Sequence, residues 1–264
     1  MDLGLAGRAY IITGGSAGIG KATAEILVEE GASVLLSARG AGRLNDVVDA
    51  LTAKGGTVVG HAADAVDPAT PEALKDAALK AFGRIDGIIA AAGGSDGAHL
   101  RDYTPESWAD TFAQNTLSAV GLAHACIPTM KEAGWGRIVT IASTAGRTSD
   151  PRFAAYAASK AALMSATRVI SRSYSKYNIL ANAVLPGLTR SESILAGYDS
   201  AAQRMGKSPD EIEQRMMELE PISMGRTGTP DEVARMVVFL ASNATTWTTG
   251  VNIQVDGGTI RDLP

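Results

Sequence analysis

Thr13-Gly14-Gly15-Ser16-Ala17-Gly18-Ile19-Gly20 sets four glycines within eight residues, directly after the apolar run Ala9-Tyr10-Ile11-Ile12. Beyond it Ile19, Ala22, Thr23, Ile26 and Leu27 recur at three- and four-residue spacing, the period of a helix with one apolar face. Glycines at Gly-x-x-x-Gly-x-Gly spacing permit a tight turn, close approach of main chain to a pyrophosphate, and close contact between helix and strand. The start of the helix then offers free N–H groups and the positive end of its dipole to phosphate. A plain tight connection has the same composition. The strand before it and the helix after it are what make it a dinucleotide-binding turn.

The same alternation continues along the chain. Gly31 ends the first helix, and Val34-Leu35-Leu36 gives a second buried strand. A helix near 43–53, a strand at Thr57-Val58-Val59 and a helix capped by Thr70-Pro71 follow. Next come the strand Ile88-Ile89-Ala90, a long helical region opened by Thr104-Pro105, and the strand Ile138-Val139-Thr140-Ile141. A helix over about 153–176, a strand at 179–185, a helix from Thr229 and a strand at 251–255 complete the series. Seven strands joined by helical crossovers predict an α/β fold, a doubly wound (Rossmann) seven-stranded parallel sheet with helices on both faces. No linker or repeat divides residues 1–264, so a single domain is expected. Its one long interruption, at about 189–224, reads as a helical lid over the substrate. Ile194, Tyr198, Ala201, Ala202 and Met205 share one helical face there, and Ser208-Pro209-Asp210-Glu211 is a capping box followed by the stripe Ile212, Met216, Leu219.

Composition narrows the function. With 45% hydrophobic and 20% charged residues the 264-residue chain is not a disordered one, and 29 glycines with few aromatics suit close helix–sheet contact. The net charge is −4 and the basic residues are scattered, which argues against nucleic acid and against a charged membrane surface. No apolar stretch reaches spanning length, and Met1-Asp2-Leu3-Gly4 lacks the order of a signal peptide. The single cysteine, Cys126, cannot form an internal disulfide, which fits a cytoplasmic setting. His61, His99 and His124 stand apart at no metal-ligand spacing, so no metal site is expected.

The residues after the second strand address the nucleotide. A carboxylate about 20 residues beyond the glycines would accept from a ribose 2′-OH and signal NAD. The chain reads Ser37-Ala38-Arg39 instead, with Arg43 one turn on. A guanidinium can grip a 2′-phosphate that a carboxylate would repel, which points to NADP(H). Asp64, just after the third strand, is placed to accept from the adenine amino group, or else to serve a turn.

Tyr156-Ala157-Ala158-Ser159-Lys160 puts a phenol and an ammonium on one helical face, and Ser143 lies 13 residues before the tyrosine. By composition such a triple arises about once in 75 chains of this kind. It also follows the apolar strand whose end faces the nicotinamide half of the cleft. Together with Ala90-Ala91-Ala92-Gly93, Asn115, Pro186-Gly187 and the C-terminal Val255-Asp256-Gly257-Gly258, these residues resemble the short-chain dehydrogenase/reductase family over nearly the whole chain. Trp135-Gly136-Arg137 and Arg226-Thr227-Gly228-Thr229-Pro230 resemble its single-domain branch containing 3-oxoacyl-carrier-protein reductases. The resemblance implies that Tyr156 is the general acid/base and that Ser143 polarises the carbonyl. Lys160 would bind the nicotinamide ribose and support Tyr156, and Asn115 would hold a water in a proton relay. It implies a cofactor surface of Gly14, Ser16, Gly18, Ile19, Gly20, Arg39, Asp64, Ala65, Ala91, Gly93, Tyr156, Lys160, Pro186, Gly187 and Thr189. One departure stands out. The family's Asn-Asn-Ala-Gly is here Ala90-Ala91-Ala92-Gly93, which loses amide hydrogen bonds but keeps room for the cofactor.

The physical chemistry agrees. Hydride transfer to a carbonyl develops alkoxide charge, which needs a proton donor and hydrogen bonds at that oxygen. A tyrosine working near pH 7 must have its pKa lowered by about three units, and Lys160⁺ nearby is expected to do this. The alternatives are an NAD-dependent alcohol dehydrogenase, which Arg39 opposes, and a nucleotide-binding regulator without turnover, which the intact Tyr156 and Lys160 oppose. The substrate is a small carbonyl compound, free or carrier-bound. Arg101, Arg147, Arg152 and Arg190 can rim the cleft toward an acidic carrier, and Met205, Met216, Met217 and Met224 concentrate in the insertion. Finally, the helices at about 104–131 and 153–176 carry apolar residues on more than one face, including Trp108, Phe112, Leu117 and Val120 on the first and Phe153, Met164 and Ile170 on the second. Either a homotetramer buries them against their copies, as the resemblance implies, or the insertion covers them within one subunit.

Overall fold

Residues 2–95 and 97–261 are described by the computed structural model; Met1 and residues 262–264, the ends of the expected domain, lie outside it. The chain runs β1 (Ala9–Thr13), α1 (Gly18–Glu29), β2 (Ser33–Ala38), α2 (Ala41–Ala53), β3 (Val58–Ala62), α3 (Thr70–Phe82) and β4 (Gly87–Ala90). It continues through α4 (Pro105–Phe112), α5 (Ser118–Ala133), β5 (Gly136–Ile141), α6 (Ala145–Thr148), α7 (Ala154–Tyr174) and β6 (Ile179–Pro186). The last elements are α8 (Glu192–Met205), α9 (Pro209–Leu219), α10 (Pro230–Ala241) and β7 (Asn252–Val255).

All seven strands form one parallel sheet in the order β3-β2-β1-β4-β5-β6-β7, as the alternation of elements predicts. The order reverses between β1 and β4, which opens a crevice at the carboxyl ends of those strands. Register fixes what meets there: Thr13 lies beside Ser37 and Ala90, and Ala90 beside Thr140. The central strands β1, β4, β5 and β6 are buried along their whole length because helices cover both faces. Leu27, Leu36, Ile89 and Val237 bind α1 and α10 to one face; Leu74, Cys126, Ile138 and Ala181 bind α3 and α5 to the other. Burial pushes the Cys126 thiol up to about 12, so it is a small core residue and no nucleophile.

Three local expectations are corrected. Thr70 is inside α3, whose N-cap is Ala69; its hydroxyl donates to the Asp64 carbonyl at 2.7 Å, tying helix to turn. The long helical region after Thr104 is broken by a π turn at Ala113–Leu117 between α4 and α5. In the insertion, the Ser208 capping box forms as expected, but Ile194, Met205 and Leu219 are exposed. The seam between α8 and α9 is narrower than their apolar stripes and holds Tyr198, Ala202 and Ile212, with Leu195, Ala201 and Met216 at its edges. That seam is closed on itself, so it does not cover the exposed Leu117 (60%) at the start of α5 or Val169 (61%) on α7. Among the described residues no helix is long and apolar enough to cross a membrane.

Candidate active site at the carboxyl edge of the sheet

The glycine turn is shaped by contact with β4. A Cβ on Gly14, whose φ is +69°, would stand 2.7 Å from the Ala91 carbonyl oxygen, and one on Gly20 only 2.4 Å from that of Gly14. Turn, helix and β4 loop therefore close on one another only because these side chains are missing. The Gly15 N–H donates to the Ser37 carbonyl at 3.1 Å, which fixes the turn against β2 as well. Helix α1 begins without a side-chain cap on Ala17 and without an acidic residue in its first turn, so its leading N–H groups are not served from its own sequence.

The loop after β4 lacks the family's amides and is held by other residues. Thr13 Oγ1 accepts from the Ala92 N–H at 3.3 Å. Asn115, in the π turn, accepts from the Gly94 N–H and donates to the Gly94 carbonyl, both at 3.0 Å, and to the Thr111 carbonyl at 3.1 Å. Both of its amide protons are thus taken. The visible role of the side chain is to clamp this loop. A Cβ on Gly93 would meet Asn115 Oδ1 at 2.6 Å and Lys160 Nζ at 3.1 Å, so these three residues converge.

Tyr156 and Lys160 lie one turn apart near the start of α7, with the Lys160 ammonium 5.6 Å from the centre of the Tyr156 ring. Lys160 is buried, and its ammonium donates to the Ile141 carbonyl at the end of β5 at 2.7 Å. Burial pulls its pKa down to about 8. Burial pushes the Tyr156 phenol the other way, above its usual value, while a side-chain hydrogen bond with Ser143 works to lower it. The expected lowering of the phenol toward neutrality by Lys160 is therefore not seen. Desolvation exceeds the help of the Ser143 hydrogen bond. Ser143 is set by its own turn, its Oγ accepting from the Ala145 N–H at 3.2 Å. Gly146 lets α6 lie against α7, for its Cβ would stand 2.8 Å from the Ala161 nitrogen. Phe153 meets the Tyr156 ring edge-on at 6.4 Å.

The remaining residues read from the sequence fall along the same edge. Pro186 and Gly187 end β6, where the Gly187 N–H donates to the Val255 carbonyl at 3.1 Å. Thr189 is buried, donates to the Gly187 carbonyl at 3.0 Å and bridges to Gly228. Ser16 and Ile19 are half-buried in the glycine turn and α1. Arg39 and Arg43 are exposed beyond β2, and neither has a partner among the described residues. Asp64 is exposed beside half-buried Ala65, its carboxylate accepting from the Val66 N–H at 3.2 Å, which is a turn role. Of the four arginines expected at the rim, Arg152 pairs with Asp150 and Glu220, Arg190 with Glu213 at 3.4 Å and Arg101 with Asp102 at 3.6 Å.

Sequence reading missed the residues that join the insertion to the cleft. The Gly18 N–H donates to Glu192 Oε2 at 2.7 Å, across 174 positions. At the far end of the insertion Arg152 donates to Glu220 Oε1 at 2.8 Å. Burial raises the Glu220 pKa and Arg152 opposes that rise. No sequence signal pairs such distant residues; only an acidic residue opening α8 hints that it could face a helix start.

A doubly wound sheet with a glycine turn at its switch point, beside a serine, a tyrosine and a buried lysine, is the architecture of nucleotide-linked oxidoreductases. Comparison with known proteins makes this specific. Residues 14–259 match the family described as enoyl-(acyl carrier protein) reductase. An uncharacterized oxidoreductase, YvrD, of Bacillus subtilis is 34% identical over all of both chains. D-beta-hydroxybutyrate dehydrogenase of Cupriavidus necator is 31% identical, covering 96% of this chain and 98% of its own. The crystal structure of L-sorbose reductase from Gluconobacter frateurii, complexed with NADPH and L-sorbose, superposes with a TM-score of 0.96 at 30% identity over all of both chains. The chain belongs to the short-chain dehydrogenase/reductases and is an oxidoreductase of that family.

Proposed function

We propose that this protein is an NADP(H)-dependent oxidoreductase acting on a ketone or secondary alcohol, with Tyr156 as general acid/base. The convergence of Ser143, Tyr156 and buried Lys160 at the carboxyl end of β5 is the observation that carries this reading. The residues present fit a dinucleotide. The cradle of Gly14 and Gly20 would be filled by any side chain, the start of α1 is free of its own carboxylates, and Arg39 stands unpaired beyond β2. Gly14, Ser16, Gly18, Ile19 and Gly20 would hold the pyrophosphate, Arg39 the 2′-phosphate, and Asp64 and Ala65 the adenine side. Ala91, Gly93, Tyr156, Lys160, Pro186, Gly187 and Thr189 would face the nicotinamide half. Bound there, the dinucleotide supplies or accepts the hydride. Tyr156 holds the proton at the substrate oxygen, and Ser143 orients that oxygen. Lys160 keeps a positive charge beneath the phenol, and Asn115 clamps the loop opposite. The L-sorbose reductase, bound to NADPH, supports this cofactor, and it and the hydroxybutyrate dehydrogenase support carbonyl–alcohol chemistry.

The expected lid is the α8–α9 pair, flanked by Arg190, which pairs with Glu213, and held at Glu220 by Arg152. A homotetramer in the cytoplasm completes the reading, with exposed Leu117 and Val169 as the apolar surface to be covered. The test is turnover with a panel of ketones, thioesters and quinones, for wild type and Tyr156→Phe. Tyr156→Phe should bind NADPH normally, by nicotinamide fluorescence, and lose roughly 10²–10⁴-fold in kcat. Retained turnover in the folded variant removes Tyr156 from the mechanism.

A further inference from the structure

We propose that Glu192 is a latch: in the free protein it holds the α8–α9 lid on the phosphate seat of the glycine turn, and the dinucleotide must displace it to bind. The inference rests on the cofactor reading above. Helix α1 brings no carboxylate of its own to its first turn, and Ala17 gives no side-chain cap. The carboxylate found there comes from the first residue of α8, with Glu192 Oε2 2.7 Å from the Gly18 nitrogen. The contact is more than one flexible side chain touching a loop. A Cβ on Gly18 would lie 3.2 Å from the Ser191 Cβ, and Ser191 is the N-cap of α8, its Oγ accepting from the Ile194 N–H. The start of α8 is thus seated on the start of α1.

The opposite end of the insertion is tied down as well. Glu220, just past α9, is held by Arg152, four residues before Tyr156, and Arg152 is itself gripped by Asp150. One strap therefore reaches from the pyrophosphate half of the cleft to the catalytic half, with a carboxylate at each end. The two ties differ in what can replace them. Glu220 meets a guanidinium already shared with Asp150, whereas Glu192 is exposed and meets only a main-chain N–H. A pyrophosphate needs that same N–H and dipole, and two anions cannot occupy it together. Cofactor arrival therefore releases the α8 end while the α9 end stays fixed, freeing the lid for substrate. The free protein's apparent affinity is lowered by the fraction of molecules that are latched.

The experiment compares wild type with Glu192→Gln and Glu192→Ala in two measurements on the full chain. One is NADPH titration by fluorescence. The other is amide hydrogen exchange across residues 190–205 in the free protein, read by mass spectrometry. A latch predicts NADPH bound about three- to tenfold more tightly by both variants, the scale of one exposed charge-assisted hydrogen bond, together with faster exchange at the start of α8. Tighter binding with unchanged exchange reduces Glu192 to a repulsive charge and overturns the latch. Unchanged affinity in proteins that do bind NADPH overturns it while leaving the cofactor reading intact. If neither wild type nor variants bind NADPH, the cofactor reading falls, and displacement with it.

Discussion

Replacing Lys160 with methionine exposes the cost of keeping an ammonium buried at the site. Lys160 is 4% exposed, and burial lowers its pKa from the ordinary 10.5 to about 8. The sign follows from proton counting. Between pH 8 and 10.5 the unfolded chain holds a proton at this residue and the folded chain does not, so stability rises with pH across that window. Below pH 8 both states carry the proton and the folded state bears the whole penalty. At about 1.4 kcal/mol per pH unit, the gap is worth about 3 kcal/mol. Lys160→Met has no such titration. Its hydrogen-bond and packing losses are the same at every pH, and the lysines and tyrosines away from the site titrate alike in both proteins. Urea unfolding of the two at equal protein concentration, at pH 7.5 and pH 10.5, should show wild type gaining about 3 kcal/mol on the variant over that interval. The variant, inactive, should also be no less stable than wild type near neutral pH by more than its lost hydrogen bond to Ile141. Parallel stability curves, with the difference changing by less than about 1 kcal/mol, would refute the burial argument.

The other expectations are these. Arg39→Ala should weaken NADPH by roughly 2–3 kcal/mol with little effect on NADH; equal weakening of both, or an initial preference for NADH, rejects the 2′-phosphate assignment. Tyr198 is 7% exposed, and its buried hydroxyl has no hydrogen-bond partner among the described residues. Tyr198→Phe should thus leave thermal stability unchanged or raise it by up to about 1 kcal/mol, and a clear loss would reveal a partner for that hydroxyl. Sedimentation at micromolar concentration should give about four times the chain mass of 27.2 kDa, while a fully active monomer would leave Leu117 and Val169 exposed for some other reason.

The apolar runs and the glycine turn determine the sheet. A strand buried on both faces must be apolar throughout, and only helices of matching period can cover it, so seven strands and their crossovers are legible from periodicity alone. Tyr156 and Lys160 are legible for the same reason, since residues four apart on a helix share a face. The chain's own sequence also announces Ser143 and Arg39, because each follows a strand whose end must open onto the crevice. What no local pattern contains is the partner a side chain meets across the fold. Asn115 clamps Gly94, Lys160 spends its ammonium on Ile141, Arg152 reaches Glu220, and Glu192 sits on Gly18. Each of these contacts joins elements that the sheet order alone brings together. The direction of the Tyr156 and Lys160 pKa shifts was likewise decided by burial, a property of the packed molecule and of no residue within it.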